Sequence, residues 1–254
     1  AAAAAATLLA AGPTVAAPRL AAIFGDGMVL QREKPVHIWG WAEPGEALQA
    51  EFRGETLSAQ AGADGRFSLR FKPAPVGGPH TLRVAGQGSV QLQDLLIGDV
   101  WLASGQSNMA WLVKDSADAA REIAAADFAQ IRHFTVARRA SLQPQADVAP
   151  ARWQAARPDA VGEFSAVAYF FARQVHRETG VPIGIVNASW GGTHIETWSG
   201  AHAVASDPAL APLMARMPQD AASFQAARLK QQRAIIAAWQ GPPRPGDAKP
   251  EAWS

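Results

Sequence analysis

The amino-acid sequence predicts an α/β protein in which a doubly wound parallel sheet follows a small all-β region. From residue 97 onward, short apolar runs alternate with segments of helical periodicity, an order typical of a parallel sheet with helices on both faces. Before residue 97, alternating apolar and polar residues are separated by turn signals, which indicates antiparallel strands. Hydrophobic residues make up 48% of the 254 residues and charged residues 18%, so the chain can bury a core in one or two domains.

Composition excludes several classes of function. The net charge is +1 and no basic stripe is present, so no nucleic-acid partner is indicated. No apolar run reaches the roughly 18 residues of a membrane span. The absence of cysteine rules out disulfides, a thiolate nucleophile and cysteine-bound metal. No spacing of histidine, aspartate and glutamate suggests another metal site.

The region 20–96 is predicted to be a small β-sandwich accessory domain. Its clearest alternating runs and turn signals are residues 36–41, 47–52 and 66–71, and residues 43–45, 63–65 and 77–79. Trp39 and Trp41 could offer stacking platforms for a sugar. Tryptophans in such strands more often pack in a core or between domains, and we interpret these two in that way.

The region 97–240 is predicted to hold the parallel sheet. Strands are expected at residues 97–103, 131–136 and 181–188. Helices are expected at residues 116–128, capped by Ser116, at 164–178, ended by Gly180, and at 220–240. The proline-rich residues 241–254 predict a linker or the start of an inserted domain.

Ser107 follows the first apolar strand of this region at a small-residue turn. Gly105 breaks the strand and delivers the serine to its carboxyl end, where ligands and catalytic groups collect in open α/β sheets. A serine there can be a nucleophile if a base activates it and donors stabilise the oxyanion. An ordinary polar turn explains this segment equally well.

A second small-residue turn follows the strand at 181–188. Gly191 and Gly192 let the backbone approach a substrate closely and present N–H groups inward. Such groups are the usual material of an oxyanion hole. The alternative is a glycine turn flanked by two core tryptophans.

Together these segments resemble one known family. The pattern comprises residues 105–109 (GQSNM), 189–193 (SWGGT), 195–198 (IETW), 24–31 (FGDGMVLQ), 97–102 (IGDVWL) and 162–171 (GEFSAVAYFF). It resembles the sialate O-acetylesterase branch of the SGNH hydrolases, which includes bacterial carbohydrate acetylesterases that act on plant polysaccharides. The resemblance covers about residues 20–240, with the motifs in the family's order.

The resemblance implies a flavodoxin-like SGNH sheet and two-step acyl transfer that uses no cofactor or metal. Ser107 would attack the acetyl carbonyl, and its backbone N–H would face the oxyanion. Gly192 is the expected second oxyanion donor and Gly162 a weaker one. Residues that contact the acetylated carbohydrate are expected in the second turn and just after it, namely Trp190, Gly191, Thr193, His194 and Glu196.

The family's catalytic aspartate and histidine form an Asp-x-x-His motif near the carboxyl terminus, and these 254 residues contain none. We therefore expect both residues beyond Ser254, in the remainder of a longer protein. His194 is the one histidine that could replace the base, with Glu196 as its partner. A loop residue that contacts sugar hydroxyls is the preferred interpretation of His194, because a base must also be oriented by a carboxylate.

Residues 1–19 resemble the apolar and small-residue parts of a secretory signal, with a disordered leader as the alternative. A signal would make this a periplasmic or secreted bacterial protein.

Two functions from different classes remain. The first is a carbohydrate O-acetylesterase that releases acetate from xylan, xyloglucan or sialic acid through a serine acyl-enzyme. The second is a non-catalytic carbohydrate-binding protein or degenerate hydrolase that keeps the fold without the base. Loss of acetate release in Ser107→Ala would separate them.

Overall fold

The structure is a computed structural model that describes residues 17–141, 143–210, 212 and 221–238. These residues fall into two compact units. The first contains the residues up to Arg138 together with Ala146–Thr193, and the second contains Arg139–Gln145 together with the residues from His194 onward. Residues 1–16 of the expected leader, and the expected linker at 241–254, lie outside the described residues.

The strands that the structure describes all lie in the first unit. Before residue 97, strands such as those at Val36–Trp41, Ala47–Phe52 and Arg66–Phe71 alternate in burial, as the sequence predicts. The strands of the unit are β1 (Arg19–Leu20), β2 (Val29–Gln31), β3 (Val36–Trp41), β4 (Ala47–Phe52), β5 (Glu55–Gln60), β6 (Arg66–Phe71), β7 (Gly77–Ala85), β8 (Ser89–Gly105), β9 (Phe128–Thr135), β10 (Trp153–Ala156) and β11 (Ile183–Ser189). Arg19, which the sequence analysis placed at the end of the leader, therefore begins β1.

Helices occur in both units. The first unit holds α1 (Ser107–Ala110), α2 (Ala119–Ala124) and α3 (Ala166–Thr179), with 3-10 helices at Val113–Asp115 and Val161–Glu163. The second unit holds a 3-10 helix at Ile195–Trp198, then α4 (Ala201–Ser206) and α5 (Ala221–Ala238). No helix in the described ranges combines the length and the apolar composition of a membrane-spanning segment.

The strand β8 joins the two kinds of sheet. Its first half pairs antiparallel with β7, and its second half pairs parallel with β11. The predicted division of the chain at residue 96 depends on residues 90–93 and 97–103 forming separate strands. No glycine or proline lies between residues 89 and 97, so nothing there ends the strand. The separate amino-terminal sandwich domain is not confirmed.

The first core cluster packs between two sheets of the β region. A three-stranded antiparallel sheet, in the order β1, β3, β6, contributes Ile38 and Phe67, and the larger sheet contributes Leu82 and Ile97. Side chains at alternate positions of β3 point away from this core, because successive residues of a strand face opposite sides.

Trp39 and Trp41 therefore do not belong to this core, and the other interpretation, packing between domains, stays a prediction. Both occupy outward positions of β3 and are half-buried. The Trp39 ring packs edge-on against Phe24, with ring centroids 4.6 Å apart. The guanidinium of Arg19 lies 3.9 Å from the centroid of Trp41.

The central sheet of the α/β region is mostly parallel, as predicted. The strands β8, β11 and β9 run parallel in that order, and β10 adds antiparallel to β9. One face of this sheet packs against α3. The side chains between them form a second core cluster that includes Ile131, Ile185 and Tyr169. On the opposite face, Phe134 and Trp153 belong to the first cluster. Within the first unit, one face of the sheet therefore carries a helix and the other carries β structure.

The helix α3 begins and ends close to where the sequence predicts. The Ser165 hydroxyl caps it by accepting a hydrogen bond from the Ala168 N–H at 3.3 Å. Gly180 ends it with a φ of 67°, in the left-handed region that favours glycine.

The helix predicted at 116–128 is much shorter in the structure. Only Ala119–Ala124 is helical, and Phe128 already belongs to β9. The Ser116 hydroxyl does not cap the helix; it donates to the carbonyl oxygen of Leu112 at 3.1 Å. The pairing of β9 with its neighbours therefore overrides the local preference of an alanine-rich segment for helix.

Candidate active site

Ser107 lies at the exposed carboxyl end of β8. The strand ends at Gly105, whose φ of 138° favours glycine. Gln106 is the N-cap of α1, and its carbonyl oxygen accepts a hydrogen bond from the Ala110 N–H at 2.9 Å. The chain thus passes from strand to helix within two residues, and Ser107 is exposed as the first residue of α1.

The second turn lies directly beside Ser107, because β8 and β11 are parallel neighbours whose carboxyl ends meet. Ser189 is the register partner of Gly105, and the Trp190 N–H donates to the Gly105 carbonyl oxygen at 2.9 Å. A methyl group on Gly191 would lie 3.6 Å from both Cα and Cβ of Ser107. The structure therefore brings the two motifs together.

The other two candidate glycines have different surroundings. Gly192 has a φ of 78°, and among the described residues no atom lies within 4 Å of an added methyl group. Gly162 belongs to the 3-10 helix Val161–Glu163, where an added methyl group would lie 3.3 Å from Ile123 and 3.8 Å from Lys114. Gly191 is thus the glycine packed on Ser107, and the oxyanion roles of Gly192 and Gly162 stay predictions.

The 190–193 turn is closed by its own hydrogen bond and flanked by aromatic side chains. The Thr193 hydroxyl donates to the carbonyl oxygen of Trp190 at 2.8 Å. Trp190 and, on the segment after α1, Trp111 are both exposed. The indole N–H of Trp111 donates to the Asp115 carbonyl oxygen at 3.0 Å, which fixes that ring.

The segment after α1 is tied to the start of α3. The Ala166 N–H donates to the Trp111 carbonyl oxygen at 2.8 Å, and Leu112 forms an isolated antiparallel bridge with Ser165. The Ser165 hydroxyl also lies 3.5 Å from the sulfur of Met109, within the first motif. The motif at residues 162–171 therefore supports the turn that carries Ser107.

Two buried polar residues below the 190–193 turn were not assigned a role from the sequence. Asn187 and Ser189 occupy same-face positions near the end of β11, and the Ser189 hydroxyl donates to the Asn187 side-chain oxygen at 2.7 Å. The available signal was Asn187, a polar residue within the strand predicted to be buried, with Ser189 two residues later on the same face if the strand continues.

A sequence model of the family described as carbohydrate esterase, sialic acid-specific acetylesterase matches residues 97–235, more than half of the chain. The chain belongs to this family of carbohydrate esterases. It is 33% identical over 204 residues to the sialate O-acetylesterases of Pongo abelii and Homo sapiens, covering 71% of this chain and 38% of each relative.

A solved carbohydrate acetylesterase from Xanthomonas citri is similar in structure, with a TM-score of 0.72 and 46% identity. The match covers 73% of this chain and 43% of that protein. The chain therefore spans less than half the length of each of these relatives.

The base expected for Ser107 is not found beside it in the described part of the first unit. Among the described residues of that unit, no histidine or carboxylate forms a hydrogen bond with Ser107. His133 lies inside the second core cluster, where its ring stacks on Phe164 at 4.4 Å between centroids. Burial lowers the pKa of His133 to about 4, so its ring is neutral at pH 7.

His194 and Glu196 belong to the second unit. His194 is exposed, and its carbonyl oxygen accepts hydrogen bonds from the Thr197 N–H at 3.1 Å and the Thr197 hydroxyl at 2.7 Å. These bonds begin the 3-10 helix Ile195–Trp198, which contains the backbone of Glu196. Substrate contact by these two residues stays a prediction.

Proposed function

We propose that this chain supplies the nucleophile and the oxyanion-binding turn of a carbohydrate O-acetylesterase. The observation that carries the proposal is the exposed position of Ser107 at the end of β8, with Gly191 of the neighbouring turn packed beside it. Membership of the carbohydrate esterase family supports hydrolysis of an O-acetyl ester as the reaction.

The reaction proceeds through an acetyl-enzyme. The Ser107 Oγ attacks the acetyl carbonyl carbon while its proton passes to the histidine of an Asp-x-x-His motif beyond Ser254. The tetrahedral intermediate collapses, the bond to the sugar oxygen breaks, and that oxygen leaves with the proton. The same histidine then removes a proton from water, which attacks the acetyl carbonyl carbon. The bond to Ser107 Oγ breaks, the histidine gives the proton to that oxygen, and acetate leaves.

Backbone N–H groups stabilise the oxyanion in both steps. The N–H of Ser107 is available because the first N–H groups of a helix have no acceptor within it. Gly192 is the first choice as second donor because it follows Gly191 in the same turn, and Gly162 is the weaker choice. Each such donor contributes on the order of 100- to 1000-fold in rate.

The proposed substrate class is an O-acetylated carbohydrate. The primate relatives are named sialate O-acetylesterases and the Xanthomonas citri protein a carbohydrate acetylesterase. The exposed rings of Trp190 and Trp111 offer apolar walls for a sugar ring or an acetyl group. Xylan, xyloglucan and sialic acid are the candidate carriers of the acetyl group, and a periplasmic or secreted location would suit all three.

The test is acetate release by the natural protein that contains this chain, measured with acetylated xylan, acetylated xyloglucan and O-acetyl sialic acid. Ser107→Ala should lower turnover by about 10⁴-fold or more, because the acyl-enzyme no longer forms. The matched control is Ser104→Ala, an exposed serine on the same strand, which should keep wild-type turnover. Full turnover by Ser107→Ala would refute the proposal.

The alternative is a non-catalytic carbohydrate-binding protein or a degenerate hydrolase that keeps the fold without the base. This function predicts binding of the same glycans without acetate release, in both the wild-type protein and Ser107→Ala. Peptide mapping of the isolated protein beyond Ser254 would locate the motif or show that the base is missing.

A further inference from the structure

Two polar side chains interrupt the apolar face of β11 directly below the 190–193 turn. Ile183 and Ile185 occupy the same strand face and belong to the second core cluster. Asn187 and Ser189 continue that face with only 5% and 7% of their surface exposed. Buried polar groups are unfavourable unless they are hydrogen-bonded. Two apolar side chains could occupy the same buried positions without needing hydrogen-bond partners. The polar pair therefore calls for an explanation other than core packing.

Ser189 is held by three separate groups at the point where the turn begins. Its hydroxyl donates to the side-chain oxygen of Asn187 at 2.7 Å, and its carbonyl oxygen accepts from Nε of Arg138 at 3.3 Å. The next N–H, that of Trp190, donates to the Gly105 carbonyl oxygen at 2.9 Å. Only the first of these three bonds uses the Ser189 side chain, so it can be removed without removing the other two.

We propose that Asn187 and Ser189 are positioning residues that fix the 190–193 turn against Ser107. This proposal rests on the proposed function, because it assigns the pair to the geometry of the oxyanion-binding turn. Gly191 and Gly192 carry no side chains by which this part of the turn could be held, so the hydrogen-bonded Ser189 before the turn helps to fix it, together with the Trp190 N–H bond to Gly105 and the Thr193 hydroxyl bond to Trp190. Oxyanion donors act within about 2.7–3.1 Å of the oxyanion, and a displacement of about 1 Å costs on the order of 100-fold in rate.

The kinetic test compares two β-branched replacements of Ser189 in the natural protein. Ser189→Val and Ser189→Thr have nearly the same shape, but only threonine keeps the hydroxyl that donates to Asn187. We expect Ser189→Val to lower kcat by about 10- to 100-fold with KM changed by less than about 3-fold, because a transition-state contact is weakened. Ser189→Thr should restore kcat to within about 3-fold of wild type.

A double variant separates positioning from a merely structural role. In Ser189→Val the Asn187 side-chain oxygen loses its donor, so the midpoint of thermal unfolding should fall. Adding Asn187→Leu removes both polar groups, which can be nearly neutral for stability, so the midpoint should recover. We expect kcat per folded molecule to stay low in the double variant. Recovery of kcat together with the midpoint would overturn the proposal.

Hydrogen exchange at the Trp190 amide tests the same proposal without turnover. This N–H is protected by its bond to Gly105, and we expect it to exchange about 10-fold faster in Ser189→Val than in Ser189→Thr. Equal exchange in the two variants would overturn the positioning role, whatever the enzyme activity. A wild-type protein that releases no acetate would instead refute the proposed function, so the two failures are distinguishable.

Discussion

Two parts of β8 differ in burial although they belong to one continuous strand: residues 95–97, at the end of its first half, and residues 101–102, in its second half. Leu95, Leu96 and Ile97 in the first half are at most 4% exposed. Trp101 and Leu102 in the second half are 46% and 69% exposed. The first half has β7 on one side and β2 at its end, whereas among the described residues the second half pairs only with β11.

This difference separates the part of the strand that holds the fold from the part that presents Ser107. Residues 95–97 of the first half are buried between partner strands, so their side chains contribute mainly to stability. The second half has one described partner strand, and its carboxyl end carries the site. Under the proposed function, the remaining catalytic residues approach this less covered half. Substitutions in the two halves should therefore act on different measured quantities.

The largest effect is expected at Gly98, where β8 changes from antiparallel to parallel pairing. A methyl group on Gly98 would lie 2.0 Å from the carbonyl oxygen of Pro182, and that oxygen accepts from the Asp99 N–H at 2.9 Å. Backbone atoms must move to admit it. We expect Gly98→Ala to lower the free energy of unfolding by about 4 kcal/mol or more.

Chemical denaturation measures the Gly98→Ala effect. The control is Gly200→Ala, where the φ is −63° and no described atom lies within 4 Å of an added methyl group. Its effect should stay within about 0.5 kcal/mol. Similar losses in the two variants would contradict the assignment of Gly98 as the point where the halves are joined.

The next effect compares one apolar residue from each half. Ile97→Ala empties a fully buried site in the first core cluster, and we expect a loss of about 3 kcal/mol in the free energy of unfolding. Leu102→Ala removes a largely exposed side chain and should change it by about 0.5 kcal/mol or less. Denaturant titration of both variants under identical conditions provides the comparison. A loss at Leu102 as large as that at Ile97 would remove the distinction between the halves.

The sequence predicts the parts of the fold that depend on local signals. The helix α3 could be located because its apolar residues recur at helical spacing and Gly180 can adopt the left-handed conformation that ends it. The continuity of β8 could not be predicted, because it depends on β7 and β11 binding to successive parts of one strand. The short length of α2 also depends on strand pairing, because Phe128 pairs with Ala156 as part of β9 and so cannot extend the helix.

For the candidate site, the sequence predicts which motifs lie next to each other. Parallel strands align their carboxyl ends, so Ser107 and the Gly191–Gly192 turn were expected to lie together. Which glycine packs on Ser107 depends on the backbone dihedral angles of the turn, and these angles cannot be read from the sequence pattern. The partnership of Asn187 with Ser189 was also hidden, because a pattern of polar residues in a strand does not show whether they bind each other or solvent.

The last prediction concerns the pH dependence of the parallel region, where His133 is buried against Phe164. Burial lowers its pKa from 6.5 to about 4, so the unfolded chain binds a proton before the folded chain does. Its contribution to stability is complete above about pH 6.5 and is lost as the pH falls towards 4, by up to about 1.4 kcal/mol per pH unit. Between pH 7 and pH 5 the wild-type protein should therefore lose up to about 2 kcal/mol more than His133→Leu. Denaturant titrations of both proteins at the two pH values measure this difference, and parallel losses would show that another group governs the acid response.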